Sequence, residues 1–309
     1  MKIFESYCKN DKKTGCVLAF GNFDGVHSGH RLLLAAAKEY AQKNSLLFGV
    51  YTFADSPKFA NAHHSVLTTL ETRLSLLESA VSPDFVYLEK FDEVKSLRPD
   101  EFADYIIEKF GCECTFCGEN FRFGKNAEGN SQVLSQLMTE HGKNSVTVAS
   151  KLADGMVVSS TRILGLLRDG KVSEAHELLG KPFGFTSEVI HGAHLGNKLG
   201  FPTVNQIIPA ELVYPKYGVY STIAVIDGKE YMGVTNFGIK PTVSDDGTPV
   251  AETYIIDFDG DVYGKSLSLY FVERLRDEKK FSSLEELRAN ISENVEQTRI
   301  LFREKYEKI

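Results

Sequence analysis

Short apolar runs alternate with amphipathic stretches through the first 180 residues or so. Cys16-Val17-Leu18-Ala19-Phe20 reads as a buried strand. Leu32, Leu33, Leu34, Ala36 and Ala37 predict a helix over 30–43 that packs on it. Leu46 to Phe53 is a second apolar run, Thr69 to Ser79 a helix, and Phe85-Val86-Tyr87-Leu88 a third strand. Phe102, Tyr105, Ile106 and Phe110 share one face of a helix over 99–110, with Asp100-Glu101 in its first turn. Cys112, Cys114 and Phe116 alternate as in a half-buried strand, and Val146 to Ala149 predicts another. Strands alternating with helices predict a parallel sheet covered on both faces, a Rossmann-like α/β domain.

The period changes after a short helix over 172–179, which stops at Gly180 with Lys181-Pro182 beyond it. Thr186 to Val189, Gly218 to Val225, Tyr231 to Asn236, Ala251 to Phe258 and Ser266 to Phe271 then predict strands. Turns fall at Asp227-Gly228, Asp246-Gly247 and Asp259-Gly260. Strands at such short intervals predict a small antiparallel β-barrel. A helix from about Ser283 to Lys308 closes the chain, its Leu284, Leu287, Ile291 and Val295 forming the face that packs on the barrel. Two domains are expected, residues 1–182 and 183–309.

Composition narrows the class. A chain of 309 residues with 42% hydrophobic and 25% charged content has the size and make-up of two ordinary globular domains. The net charge is −7 and no run of five basic residues occurs, which argues against nucleic acid as a partner. No apolar run is long enough for a membrane span and the first residues lack a signal-peptide core, so the expectation is a cytoplasmic protein; a monomer or weak homo-oligomer is expected besides. Five cysteines, an odd number, fit free thiols. Cys112, Cys114 and Cys117 lack the second ligand pair of a structural zinc site.

The chemistry concentrates in two stretches. Gly21-Asn22-Phe23-Asp24-Gly25-Val26-His27-Ser28-Gly29-His30 lies where the first strand turns into the first helix. Such a corner presents free backbone N–H groups and the positive end of a helix dipole, a setting for phosphate. His27 and His30 add imidazole N–H donors, and Gly29 lets a nucleotide approach the backbone. The His-x-Gly-His pattern after a strand resembles the nucleotidyltransferase superfamily. Asn120, within Gly118 to Gly124, and Ser159-Ser160-Thr161-Arg162 belong to the same sheet edge, with Arg162 suited to clamp a triphosphate. In the second half, Gly192, Gly196 and Gly200 with Lys198 form a glycine-rich stretch able to wrap phosphates, and it lacks the ending of a Walker loop. Pro202 fixes the approach to Thr203, and Asn205 points to the same side of an extended segment. A hydroxyl and an amide oxygen on one face are hard donors that suit Mg²⁺. Glu252 is a lone carboxylate in an otherwise apolar strand and a candidate base.

Taken together, these residues resemble the bacterial bifunctional riboflavin kinase/FAD synthetase family over nearly the whole chain. The likeness rests on the Gly21–His30 stretch, on Gly118 to Gly124 and on Ser159 to Arg162. In the second half it rests on Leu199 to Asn205, Gly238 to Thr242, Asp257-Phe258, Tyr263-Gly264 and Arg276 to Phe281. The resemblance implies that the barrel phosphorylates riboflavin from ATP to give FMN. Thr203 and Asn205 would hold Mg²⁺ and the phosphates there, Glu252 would be the base, and Arg276 and Glu278 would contact the flavin. It implies that the first domain adenylylates FMN to FAD with release of pyrophosphate. The nucleotide would lie against Gly21, Asn22, Phe23, Asp24, Gly29, Asn120, Ser159, Ser160 and Thr161, with His27, His30 and Arg162 neutralising developing charge. Three places depart from the family pattern: Ala54 to Pro57, Leu164 and Tyr254.

Overall fold

A computed structural model describes residues 2–4, 15–54, 66–192, 200–239 and 247–306. The chain forms two compact units, Met1–Ser160 and Thr161–Ile309.

In the first unit six parallel strands, β1 (Lys2–Phe4), β2 (Cys16–Phe20), β3 (Leu47–Phe53), β4 (Phe85–Glu89), β5 (Cys112–Gly118) and β6 (Asn144–Val148), pair in the order β1-β4-β3-β2-β5-β6. Helices α1 (Ser28–Lys43) and α2 (Leu70–Val81) cover one face, where Leu33, Leu34, Ala37 and Leu77 pack on Val17, Ala19 and Val50. Helices α3 (Pro99–Phe110) and α4 (Ser131–Glu140) cover the other, with Phe102, Ile106, Leu134 and Met138 packed on Leu18, Tyr51 and Tyr87. Both faces are apolar because each crossover from β2 to β6 returns a helix to the sheet. That explains one correction. The cysteine strand is not half-buried; Cys112, Cys114, Thr115, Phe116 and Cys117 are all buried, as a central parallel strand requires.

Helix α4 and strand β1 are additions to the sequence reading. Asn130 caps α4 by accepting the Val133 N–H at 2.9 Å, and Leu134 and Met138 are its buried anchors. Around β2 the strand order reverses, with β3 and β4 on one side and β5 and β6 on the other. The carboxyl end of β2, beside that switch point, is where ligands bind in such sheets.

Helix α5 (Ser160–Arg168) starts at the division, and in the second unit it and α6 (Val172–Leu179) precede six antiparallel strands: β7 (Phe183–Glu188), β8 (Thr203–Ile207), β9 (Gly218–Ile226), β10 (Lys229–Ile239), β11 (Pro249–Ile255) and β12 (Ser266–Arg276). Their order is β7-β12-β9-β10-β11-β8. The two edges meet through an isolated bridge between Ile190 and Asn205. The buried Gln206 amide also donates to the carbonyls of Ser187 at 2.9 Å and Leu267 at 2.8 Å. The interior is aromatic and aliphatic, with Tyr220, Phe237 and Phe271 fully buried. A buried hydroxyl chain, Thr222 to Thr235 to Thr253, crosses three strands at 2.8 Å per step. The sequence boundary near Lys181-Pro182 differs from the spatial division after Ser160. Helix α6 packs on β12, Ser173 donates to Glu273, and the Lys216 N–H donates to the Leu167 carbonyl.

Helix α7 (Leu284–Tyr306) ends the described chain. Of the face expected to pack, Leu287, Ile291 and Val295 are half-buried, and the departure is at its start. Leu284 is 59% exposed, whereas Asn294 and Thr298 are buried and Val295 packs with Val234 and Ile256. The outer wall of the sheet is partly polar here, and Ser221 pairs with Thr298 at 2.8 Å. Strand β11 stops at Ile255 rather than Phe258 because Asp257 takes a left-handed φ of 57° and binds Arg299 at 2.7 Å. Strand β12 runs on to Arg276, five residues past the expected Phe271.

Candidate active sites

The first site is built on the corner after β2. Residues 23–26 leave the strand in a tight single-turn helix containing three left-handed residues, Phe23 (φ 51°), Gly25 (76°) and Val26 (40°). Phe23 and Val26 pay for this with fully buried side chains. Asp24 turns inward as well. Its carboxylate accepts the backbone N–H groups of Leu67 and Thr68 at 3.0 Å and the Thr68 hydroxyl at 2.9 Å, while burial raises its pKa. The side chains of Phe23 and Asp24 hold the loop. Asn22 is half-buried, and its carbonyl accepts from Thr52 at 3.3 Å and from Arg73 at 2.9 Å.

Helix α1 then begins, and His27 is its cap: Nδ1 accepts the His30 backbone N–H at 3.3 Å. This fixes the proton of neutral His27 on Nε2, leaving a donor for a ligand. The His27 and His30 rings stack at 3.6 Å, and His30 meets Phe23 edge-on at 5.3 Å. Burial pulls the His27 pKa down to about 4, and burial followed by the neighbouring His27 holds His30 well below the usual imidazole range. Near neutral pH both rings are therefore uncharged. They offer N–H dipoles beside the helix N-terminus, in keeping with the imidazole donors read from sequence. Gly29 is needed locally as well, since a Cβ there would lie 3.2 Å from the His27 ring and 3.5 Å from the Val158 carbonyl. Ser160 donates to the Asp24 carbonyl at 3.1 Å. Ser159 is half-buried, and Thr161 and the half-buried Arg162 follow in the first turn of α5. Gly21 directly precedes the loop, and Asn120 lies exposed on the turn after β5. A half-buried aromatic rim of Phe53, Phe91, Tyr105 and Phe121 borders the same carboxyl edge, with Phe121 5.5 Å from Phe20. Neither Arg73 nor this rim was singled out in sequence.

The second site lies on adjacent strands of the barrel. Pro202 is exposed, and Thr203 and Asn205 sit on one face of β8. Thr203 donates its hydroxyl to the Glu252 carboxylate at 3.0 Å. Asn205 lies directly opposite Glu252 across the β8–β11 ladder, and Asn236 lies opposite it on β10. The structure thus brings Glu252 together with Thr203 and Asn205, which precede it by more than forty positions. Asn205 is buried beneath Gly192, where any Cβ would fall 2.2 Å from its amide nitrogen. Gly200 has a left-handed φ of 81° at the entry to the segment. Gly196 and Lys198 lie outside the described residues. Arg276 ends β12, donates to Asn294 Oδ1 at 3.1 Å and stacks over Phe281 at 5.6 Å. Glu278 is exposed, and its carboxylate borders Gly238.

Comparison with known proteins follows the same division. The family model for FAD synthetase matches residues 9–162, and that for riboflavin kinase matches 179–302. A bifunctional riboflavin kinase/FMN adenylyltransferase of Pseudomonas fluorescens is 34% identical, covering 93% of both chains. That of Bacillus subtilis is 32% identical, covering 92% of both. A crystal structure described as a macrolide-efflux protein from Streptococcus pneumoniae superposes with a TM-score of 0.86 at 28% identity, covering 97% of this chain and 99% of that one. No helix among the described residues is long and apolar enough to cross a membrane. Two enzyme domains in this order, and relatives that match along nearly their whole length, place the chain in the bifunctional riboflavin kinase/FMN adenylyltransferase family.

Proposed function

We propose that the barrel site transfers the ATP γ-phosphoryl group to the terminal ribityl hydroxyl of riboflavin, and that the corner after β2 transfers AMP from a second ATP to the FMN phosphate. The observation that carries this reading is that each compact unit holds its own set of polar groups facing a plausible phosphate position. One set is the imidazole pair at the mouth of α1, and the other is Thr203, Asn205 and Glu252 on neighbouring strands. The functional divide is proposed at Lys181-Pro182, and the setting as cytoplasmic.

In the barrel, Glu252 sits where it can accept the proton of the attacking hydroxyl, and its hydrogen bond from Thr203 holds the carboxylate in place. The donor set of Thr203 Oγ1 and Asn205 Oδ1 consists of hard oxygens and fits Mg²⁺. When bound, the ion would offset phosphate charge. Gly192, Gly196, Gly200 and Lys198 are assigned to the phosphates, with Pro202 directing the segment. Arg276 and Glu278 are assigned to the flavin, and the tie to Asn294 pre-orients the Arg276 guanidinium.

In the first unit an FMN phosphate oxygen attacks the ATP α-phosphorus, and the bond to the β-phosphate oxygen breaks to release pyrophosphate. The N-terminus of α1, His27 Nε2–H and His30 supply donors to the charge that gathers on the phosphoryl oxygens. Arg162 is assigned to the leaving pyrophosphate. Gly21, Asn22, Gly29, Asn120, Ser159, Ser160 and Thr161 line the nucleotide, while Phe23 and Asp24 act by holding the loop. No covalent enzyme intermediate is required, and positioning with electrostatics carries both steps.

The test is turnover of riboflavin with ATP and Mg²⁺, followed by chromatography. FMN should appear first and FAD after it. Flavin retained on the protein without either product would overturn the reading in favour of a flavin-binding module.

A further inference from the structure

Arg73, on α2, is 3% exposed, yet its guanidinium reaches two backbone carbonyls from different segments of the ligand edge. Nη1 donates to the Asn22 carbonyl at 2.9 Å and Nη2 to the Phe53 carbonyl, at the end of β3, at 2.7 Å. The loop it grips is under strain. Phe23 and Val26 carry side chains at left-handed φ, where such residues are outliers, and Val26 is β-branched. Conformations of this kind persist only where the surroundings over-determine them. Other ties among the described residues are Asp24 to Leu67 and Thr68, the Gly25 N–H to the Thr68 hydroxyl at 3.1 Å, Arg31 Nε to the Val26 carbonyl at 3.0 Å, and the Thr52 hydroxyl to the Asn22 carbonyl at 3.3 Å. The first three act on residues 24–26. Arg73 joins Thr52 one step earlier, at Asn22, and alone of these ties it links that step to the carbonyl at the end of the neighbouring strand. Burial pulls the Arg73 pKa down and the nearby Asp24 charge pushes it back up. A planar fork with fixed N–H directions can span two carbonyls in this way; a lysine ammonium on a flexible stem cannot reproduce it.

We propose that Arg73 is a positioning residue for FMN adenylylation, clamping the Asn22 and Phe53 carbonyls so that the strained loop delivers His27 and His30 to the reacting phosphates. It touches no ligand itself. The proposal rests on the reading of the His27–His30 corner as the adenylyltransfer site.

Full-length Arg73→Met and Arg73→Lys are compared with the unaltered chain, using supplied FMN and ATP-Mg²⁺ for FAD formation. Riboflavin phosphorylation in the same preparation serves as the internal standard. A misplacement of about 1 Å costs roughly a hundredfold in turnover. FAD-forming kcat should therefore fall about a hundredfold in Arg73→Met, with the KM for ATP changed by less than about threefold, and about tenfold in Arg73→Lys. Phosphorylation should stay at the unaltered rate in both. Unchanged kcat in either folded variant overturns the proposal, as does a loss confined to KM, which would make Arg73 a direct ligand contact. If Arg73→Met fails to fold, Arg73→Lys, which keeps the buried charge, decides alone. His30→Ala is assayed alongside. FAD formation at the unaltered rate in His30→Ala would sink the reading of the site itself, whereas loss there with no effect at Arg73 would sink only the clamp.

Discussion

At the residue scale, the two histidines act through their burial. A group whose folded pKa lies below its unfolded value destabilises the fold as pH falls, because the unfolded chain takes up the proton first. For His27 the unfolded value is near 6.5 and the folded one about 4. Stability of the first unit should therefore decline progressively as pH drops from about 6.5 towards 4. Imidazole resonances of His27 and His30 in a pH titration by NMR check the cause directly. Midpoints near 6.5 would show that the rings are solvated cations in waiting and that the dipole account is wrong. Loss of a charge-stabilising donor costs roughly a hundred- to a thousandfold in rate. His30→Ala should accordingly reduce FAD formation from FMN by that order and leave riboflavin phosphorylation intact. Asn205→Ala should do the opposite, abolishing FMN formation while converting supplied FMN at the unaltered rate. Loss of both activities from either folded variant would contradict two separate sites. His27, His30, Thr203, Asn205 and Glu252 were all legible as chemistry-bearing residues. The inward turn of Asp24 and Phe23 was not, because a carboxylate in a glycine-flanked loop reads the same whether it meets a ligand or two backbone N–H groups.

At the scale of elements, caps and turns were readable because they depend on residues close in sequence. Thr69 caps α2 by accepting the Thr72 N–H, and Asp227-Gly228 turns β9 into β10 with φ positive at both positions. Gly228→Ala places a side chain at φ 79°. It should lower stability of the barrel by about 1 kcal/mol, as the cost of a left-handed L-residue, and equal unfolding midpoints in denaturant would refute that. Helix α7 marks where local pattern misled. Its apolar spacing pointed to Leu284, Leu287, Ile291 and Val295, of which Leu284 is exposed; the receiving surface is a strand wall carrying Ser221, so the fully buried positions are the polar Asn294 and Thr298 beside them. Thr298→Val strands the Ser221 hydroxyl in a buried position and should cost about 1–3 kcal/mol. Thr298→Val paired with Ser221→Ala should recover part of that loss in thermal unfolding.

At the scale of the whole molecule, two activities in one chain make a complementation test possible. His30→Ala protein should form FMN and stop, and Asn205→Ala protein should do nothing with riboflavin. Mixed together they should convert riboflavin to FAD, since FMN made by one is substrate for the other. Failure of the mixture, with each protein competent in its own half-reaction, would mean that FMN does not pass through solution.

What the amino-acid order determined alone is whatever rests on neighbours along the chain. The parallel-sheet domain followed by an antiparallel barrel, the His-x-Gly-His corner and the Thr203–Asn205 pair all belong to this class, because strand and helix periods and turn chemistry are local. Tertiary structure decided which of those side chains face a ligand and which are consumed holding others. Asn205 meets Glu252 across a ladder 47 positions apart in sequence, and Arg73 reaches Asn22 across 51. Such pairings depend on strand register and on which helix returns to which face of the sheet, and a hydrogen bond between distant segments leaves no periodic trace in either of them.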